Sequence, residues 1–551
     1  MTFNTSIINI LNVNTLITNI FKRRKIMRNA KRWISTICAL TMTAALALTG
    51  CGGSDKSGTS SSSTSTADEK TMIIPVAGDI SNFYTVGLDD MTAEVISPAF
   101  DNLFTVVDAD TINYHLAESC TVSDDGLVYT IKLRDGATFS DGEPVTADDL
   151  VFSMSSEGAD FMGYYSYFAA SDVKVEKVDD LTATITIDHP NNGFMQRIGT
   201  CRIMPSHLYE GVSGEDLMAC DGAMAGVGCG PYKMTEWKKG ESITYEKRDD
   251  YYGEEPDIDK IVFKVMPDAS AQELAFKNGE VNMLRLSTKE QLEEYSADDN
   301  YTVFNMPEER VNFLCINASS TKITSLEAKQ AIMAAIDPQE IVDQVYGSDE
   351  LAKVAGGMYV DATQYFDTSM SNYTYDVDQA KKLAEQSGLS GQKLTLLYFS
   401  DRENMENYAT VIQQQLKAAG IDCEIVSGDI MSAMAEWQEG TDKYDIVLNG
   451  WDNMQGNPGF EWNIYSDGSG KPFLAFSDET LQLSVEAMNA TDEATIAEKW
   501  QAYQKSAYED YWAYPLVETN YVMATQKGYE GLDTNAIVPV FDDWTAITLD
   551  K

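Results

Sequence analysis

From residue 71 to about residue 310, apolar and polar side chains alternate with a period of two. In LVYTIKLR (127–134), Leu127, Tyr129, Ile131 and Leu133 take turns with Val128, Thr130, Lys132 and Arg134. That spacing sends one set to each face of a strand. TATITID (182–188) and ESITYEKR (241–248) repeat it, and such alternation predicts sheets with one solvated face. Thr146, followed by Asp148 and Asp149, reads as an N-cap opening a short helix through Phe152 and Met154.

Beyond about residue 313 the period changes. In SLEAKQAIMAAID (325–337), Ala328, Ile332, Ala335 and Ile336 share one helical face after a Ser325 cap, with Glu327 near the positive helix end. KLTLLYFS (393–400) then reads as a buried strand. Met405, Tyr408, Ala409, Ile412, Leu416 and Ala419 form a helical stripe that Gly420 stops, and IDCEIVS (421–427) is a second strand. The three make a βαβ unit. A helix from Asp429 to about Glu439 and the strand YDIVLNGW (444–451) extend it. Open α/β sheets take ligands at the carboxyl ends of their strands, and GWDNMQGNPGFEWN (450–463) lies just past one. An aromatic-rich helix is expected over 492–512, then a strand YPLVETNYVMAT (514–525) and a tail returning to the first lobe; the chain shows no internal repeat.

The amino-terminal region has a different logic. After Met27, the basic residues Arg28, Lys31 and Arg32 precede an apolar run from Trp33 to Leu48, the layout of a bacterial secretory signal over 27–50. It ends in Leu48-Thr49-Gly50-Cys51, which resembles a lipobox: small residues suit a peptidase's narrow pocket, and the Cys51 thiol is the acylation nucleophile. Residues 52–66 are Gly, Ser, Thr, Asp and Lys, which cannot bury enough apolar surface to offset ordering entropy, so 51–70 is expected to be a disordered tether. Residues 1–26 hold no acidic residue and precede this better start; they are set aside from the fold.

At 551 residues, 44% of them apolar, the chain can form at least two lobes. Its formal charge is -46, and removing the seven basic residues of 1–50 leaves -53 for the remainder. So acidic a surface disfavours nucleic acid; it keeps the protein soluble or draws cationic ligands. Six cysteines remain beyond the signal and Cys51: Cys120, Cys201, Cys220, Cys229, Cys315 and Cys423. Export permits disulfides, with 15 connectivities available. Cys220 and Cys229 flank a Gly-rich loop and are the favoured pair; free buried thiols are the alternative. No later run approaches the length of a transmembrane helix.

Catalytic patterns fail in turn. Three histidines, His115, His189 and His207, give no HExxH and no pair at helical spacing. GVSGE (211–215) places its second glycine one residue too early for GxSxG. GVGCGP (226–231) and GSGKP (468–472) lack glycines that a dinucleotide or phosphate loop needs. DADTIN (108–113) is not a calcium loop. Neither enzyme activity, a resident metal nor a cofactor is expected.

The segment YHLAESCTVSDDGLVYTIKLRDGATFSDGEPVTADDLVFSM (114–154) resembles the signature region of solute-binding proteins of the peptide and nickel class, which serve ABC importers. Leu133-Arg134, the turn at Asp135-Gly136, Phe139, Asp141-Gly142, Pro144 and Thr146 carry the likeness. IMPSHLYE (203–210), GVGCGPYKMTEWKKGESITYEKRDDYYG (226–253) and SLEAKQAIMAAIDPQEIV (325–342) follow in the expected order, and the match spans most of 71–545. Cys229 departs from the family, which more often has a small hydroxyl residue or glycine there.

The resemblance implies an α/β, two-lobe periplasmic-binding-protein fold with a hinge. Lobe I would span 71–312 with a smaller mixed-sheet subdomain at about 101–199, lobe II 313–521, and 522–551 would return to lobe I. It implies a monomeric, lipid-anchored receptor on the outer face of the membrane. The receptor would capture an oligopeptide and deliver it to ABC permease and ATPase subunits; a nickel chelate, a glycan, another small solute or a purely sensory role are the alternatives. In peptide-binding relatives an acidic residue near a Gly-Trp turn pairs with the ligand's amino terminus, and Asp452 is the carboxylate so placed here, with Trp451 walling the pocket. Asp452 and Asn453 could equally form a loop cap. Phe83 and Tyr84 either line the cleft or pack in the core. Trp462 is a further cleft candidate, Trp437 falls on a helix and is expected in the core, and His207 is expected to be structural.

The lipidation reading is testable directly. Cys51→Ala is expected to abolish incorporation of labelled fatty acid and to move the protein from the membrane fraction to the medium or the soluble extract. Membrane retention without incorporation would show that another segment anchors it.

Overall fold

The computed structural model describes residues 69–84, 90–106, 111–154, 173–360, 363–367, 369–370, 372–400, 402, 404–438, 440–452, 476–532 and 543–550. Strand β1 (Thr71–Val76) buries every second residue, Met72, Ile74 and Val76. Helix α1 (Asp90–Ile96) and a short ribbon of β2 (Phe104–Val106) and β3 (Ile112–Tyr114) follow. Next come β4 (Ala117–Val122), β5 (Val128–Leu133), α2 (Ala147–Met154), β6 (Lys174–Lys177), β7 (Thr182–Thr186) and α3 (Phe194–Gly199). The four strands pair antiparallel in the order β4-β5-β7-β6. Tyr129, Ile131 and Leu133 are buried as the alternation predicts, and with Leu150, Ile185 and Ile198 they form a core of their own.

At Thr146, where a cap is expected, it is Asp149 that closes the start of the helix. One carboxylate oxygen of Asp149 accepts from the Thr146 amide (2.8 Å) and hydroxyl (2.9 Å), and the other from the Ser206 amide (2.9 Å) and hydroxyl (2.7 Å). A carboxylate only 4% exposed is stable there because its lone pairs are spent. The same bonds tie α2 to the segment 203–210 that the family resemblance singles out.

Strands β8 (Tyr232–Lys238), β9 (Ser242–Lys247) and β10 (Lys260–Val265) join β1 in a second sheet of order β1-β10-β9-β8, in which β1 and β10 are parallel. Then follow α4 (Ala269–Lys277), β11 (Met283–Arg285), α5 (Lys289–Ser296), the 16-residue β12 (Tyr301–Ile316), α6 (Leu326–Ala335), α7 (Pro338–Val345), β13 (Ala352–Val354) and α8 (Val377–Ser387). The βαβ unit is β14 (Lys393–Phe399), α9 (Met405–Ala418) and β15 (Asp422–Gly428); α10 (Ile430–Gln438), β16 (Ile446–Asp452), α11 (Asp478–Met488), α12 (Glu493–Glu509) and β17 (Ala513–Gln526) extend it. A two-strand ribbon, β18 (Tyr529–Glu530) with β19 (Thr548–Leu549), closes the described chain.

These strands build a seven-stranded sheet, β11-β17-β12-β16-β14-β15 with β13 on β17. Its parallel part is β14 with β15 and β16, as the βαβ pattern requires. Both faces are covered. On β12, Leu314 and Ile316 join Ile332 and Ile412 on one side, while Val311, Phe313 and Cys315 join Trp437, Trp500 and Trp512 on the other. Trp437 is thus a core residue.

Strand β12 pairs with β17 from Tyr301–Gln526 to Cys315–Ala513, with register breaks between Pro307 and Arg310 and between Asn312 and Phe313. Before the first break the pair faces two interiors: Met306, Tyr521 and Met523 pack in the core beneath the β1 sheet, Val522 and Ala524 in a core of the larger sheet. Beyond it, Val311 and Phe313 to Ile316 belong to the two cores of the larger sheet. The bulge at 308–309 therefore marks where the pair leaves the β1-sheet core, and bulges bend and twist their strand. The expected boundary at 312 falls inside β12. Phe276, Leu284, Leu292 and Tyr295, from elements that precede it, already pack with Ile332 and Leu394 of the larger sheet. Trp544 and Ile547 of the tail pack with Ile74 and Phe263.

The favoured disulfide does not form: all six cysteines are free, five of them buried. Cys220 Sγ instead donates to the Leu217 carbonyl (3.2 Å), and Cys229 packs in the core of the small-sheet unit.

Asp149→Ala removes four charge-assisted bonds and leaves the Thr146 and Ser206 amides without their acceptor. The expected loss is about 3 kcal/mol of unfolding free energy, read as a lower urea midpoint; a change under about 0.5 kcal/mol would show that the cap is dispensable.

Candidate functional site

The carboxyl ends of β14 and β16 lie beside the β12 bulge. Leu396, Leu397 and Tyr398 of β14 pair with Ile446, Val447 and Leu448, and at the far end of β16 Gly450, Trp451 and Asp452 pair with Asn312, Val311 and Arg310. An open pocket of about 570 Å3 lies here, its polar lining including Arg285, Glu308, Arg310, Asn312, Arg402 and Asn404.

Why these residues point together follows from local backbone features. Glu308 lies in the bulge, where β12 carries residues with no opposite number on β17. Its carboxylate meets the Arg285 guanidinium at 2.8 Å and accepts from the Thr519 hydroxyl. Burial pushes the Glu308 carboxyl up, but Arg285, Arg310 and the Thr519 hydroxyl outweigh that and hold it below the ordinary glutamate value of 4.5. Arg285 also lies over the Tyr521 ring, 4.5 Å from its centroid. Arg310 is only 7% exposed; its Nε donates to Asn312 Oδ1 (3.3 Å) and an Nη to the Gly450 carbonyl (3.5 Å).

Gly450 has a steric role in this arrangement. A Cβ at that position would stand 2.5 Å from Asn312 Oδ1 and 3.0 Å from Arg310 Nη2, so a side chain there would push the Asn312 amide aside and crowd the guanidinium. Asn404 opens α9 in the left-handed region, at φ 61°, a conformation asparagine tolerates better than most residues. Because Asn404 and Met405 line the pocket, the positive end of α9 adds to the guanidinium charges. The site is thus electropositive within a strongly acidic chain, suited to a carboxylate.

The residues singled out from sequence meet different fates. Trp451 and Asp452 close β16, and Asp452 stands opposite Arg310 in the ladder. Asn453 and Trp462 lie outside the described residues. Phe83 and Tyr84 are 1% and 0% exposed, packed in two adjoining cores rather than facing a cleft. Phe83 meets Trp237 edge-on (5.2 Å), and Tyr84 meets Tyr209 (6.1 Å), with its hydroxyl pushed up to about 12, first by burial and then by Cys220. His207 pairs with Asp141 at 2.8 Å and packs beside Phe139. Among the described residues no three His, Cys, Asp or Glu side chains gather as a metal site requires, and no helix is long and apolar enough to cross a membrane.

Residues 111–472 match the model of the bacterial extracellular solute-binding proteins, family 5, middle region. The chain belongs to this family. The oligopeptide-binding protein AppA of Bacillus subtilis is 23% identical over 520 residues, covering 90% of this chain and 94% of its own. Among solved structures, the ABC transporter substrate-binding protein CtaP of Listeria monocytogenes is similar at TM-score 0.75 and 30% identity, over 88% of this chain and 99% of its own. The putative peptide-binding protein AppA of Clostridium difficile is similar at TM-score 0.77 and 26% identity, over 88% of this chain and all of its own. The fold is therefore the two-lobe periplasmic-binding one, and the resemblance carried by 114–154 is correct.

Arg285, Glu308, Arg310 and Arg402 were missed by sequence reading. The signal available was Glu308-Glu309-Arg310 interrupting an otherwise apolar strand, and Arg402 just past the carboxyl end of a βαβ strand.

Gly450→Ala is expected to displace Arg310 while costing only about 1–2 kcal/mol of stability, as overpacking does. Ligand affinity should fall roughly tenfold or more, as for loss of a charge-assisted contact. Calorimetric titration with whatever solute the parent protein binds decides it, and parental affinity would show the guanidinium position to be immaterial.

Proposed function

We propose that this solute-binding protein captures an oligopeptide between its lobes and presents it to the permease and ATPase of an ABC importer, held at the outer face of the membrane by a lipid on Cys51. The observation that carries the reading is the guanidinium-lined pocket at the carboxyl ends of β14 and β16, beside the β12 bulge. AppA of Bacillus subtilis, similar over nearly the whole chain, is named for oligopeptide binding. Arg402 and Arg310 supply donors for a peptide carboxylate; Asp452 supplies the acid for its ammonium. Main-chain hydrogen bonds to an extended ligand give the breadth of specificity, and ligand touching both lobes shifts the population toward the closed form. No bond is made or broken.

A second reading shares the pocket. The guanidinium groups of Arg285, Arg310 and Arg402 also suit a carboxylate-rich metal chelate, carried whole without protein ligands to the metal.

Mass spectrometry of solutes co-purifying with the protein, followed by melting-temperature shifts, separates the two. A free-ended tripeptide should raise the melting temperature. Arg402→Ala should weaken binding about 10-fold or more for the free carboxylate and little for the amidated peptide. Asp452→Ala should show the same contrast between free and N-acetylated ends. A shift with a carboxylate chelate and none with any peptide would replace the peptide reading.

A further inference from the structure

The turn between β7 and α3 reaches the carboxyl end of α11, and the two belong to different lobes. Phe194 and Ile187 pack with Ile185 in the small-sheet unit, whereas Ala487 and Met488 pack with Trp500 against the larger sheet. Asn191 shapes the turn: its Oδ1 accepts from the Gly193 amide (3.0 Å) and its carbonyl from the Phe194 amide (3.1 Å). Asn192 is thereby presented outward. Its amide donates to the Met488 carbonyl (3.1 Å) and its side-chain Nδ2 to the Ala487 carbonyl (2.6 Å).

The chemistry is that of a helix cap supplied by the opposite lobe. The last carbonyls of a helix have no donor within it, and the end that carries them is negative. A neutral amide offering two N–H groups suits that end, and asparagine does so with backbone and side chain at once. None of these residues lines the guanidinium pocket, so the contact does not depend on the ligand's structure. It exists only when the lobes are together, and opening exchanges both bonds for water, a modest net cost.

We propose that Asn192 is a clasp that biases the lobes toward closure and so sets how long a captured solute is retained. The proposal rests on the two-lobe capture reading but not on the solute being a peptide. Removing one donor should shift the open-to-closed ratio about fivefold, the ordinary worth of one net hydrogen bond. Replacing it with a carboxylate should do more, because a negative group then faces the negative end of α11.

The test compares the parent protein with Asn192→Ala and Asn192→Asp, without ligand and with tri-alanine as probe. The variants should melt within about one degree of the parent, since the bonds join lobes rather than build either one. Amide exchange over 191–194 should quicken about 5-fold in Asn192→Ala and more in Asn192→Asp, with a larger radius of gyration in solution scattering and faster tri-alanine dissociation at unchanged association. A double variant, Asn192→Cys with Met488→Cys, should form a disulfide under mild oxidation and restore the compact profile. Parental exchange and scattering in both single variants, or failure of the double variant to cross-link, would overturn the clasp. If the parent fails to bind tri-alanine, that outcome counts against the peptide reading while exchange and scattering still decide the clasp.

Discussion

The antiparallel pairing of β12 with β17 runs through three hydrophobic cores, and both lobes are built outward from it. A strand pair this long resists stretching and shear but can twist, and its weak point is the bulge at 308–309, where the ladder is interrupted. Before it the pair packs against two interiors at once, Met306, Tyr521 and Met523 in one and Val522 and Ala524 in the other; beyond it Val311 and Phe313 through Ile316 lie within the larger sheet's cores. Glu308 lies in the bulge, and its bonds to Thr519 on β17 and Arg285 on β11 tie it to the adjacent strand and to the one beyond.

The same bulge brings charge into a place that solvent barely reaches. Burying Arg310 and Glu308 is costly unless each is compensated, and the compensation is distributed: Arg285 and Thr519 for the acid, Asn312 and the Gly450 carbonyl for the base. Among the described side chains that line it, three guanidiniums meet one carboxylate, while the chain as a whole is at -46. Recognition of an anionic group is thus a local property that the acidic exterior conceals.

Most of the architecture was legible because it obeys simple periodicities. The period-two stretches became β5, β7 and β9. The stripe from Met405 to Ala419 became α9 and its cap with those side chains buried, and the parallel pairing of β14 with β15 followed from their connection. The site was legible only in part. Its place, past the end of β16, could be read from topology, but its charge could not: Arg285, Arg310 and Arg402 are 25 to 117 positions apart, and only the bulge and the α9 turn bring them together. Phe83 and Tyr84 had two readings, cleft or core, because aromatic residues after a strand have no period to show which way they face; here they pack against Trp237 and Tyr209. The boundary placed at 312 falls within β12, since a change of hydrophobic period marks where helices begin to dominate, not where one interior gives way to another.

That no disulfide joins the six described cysteines carries a consequence of its own. Burial raises Cys120, Cys229 and Cys423 to about 12 and holds Cys315 well above the ordinary thiol value, so hardly any thiolate exists on these four at neutral pH to attack an oxidant. A chain built this way can mature beyond the cytoplasm with no oxidoreductase to form or proofread bridges. Its stability is then indifferent to whether the surroundings are aerobic or reducing.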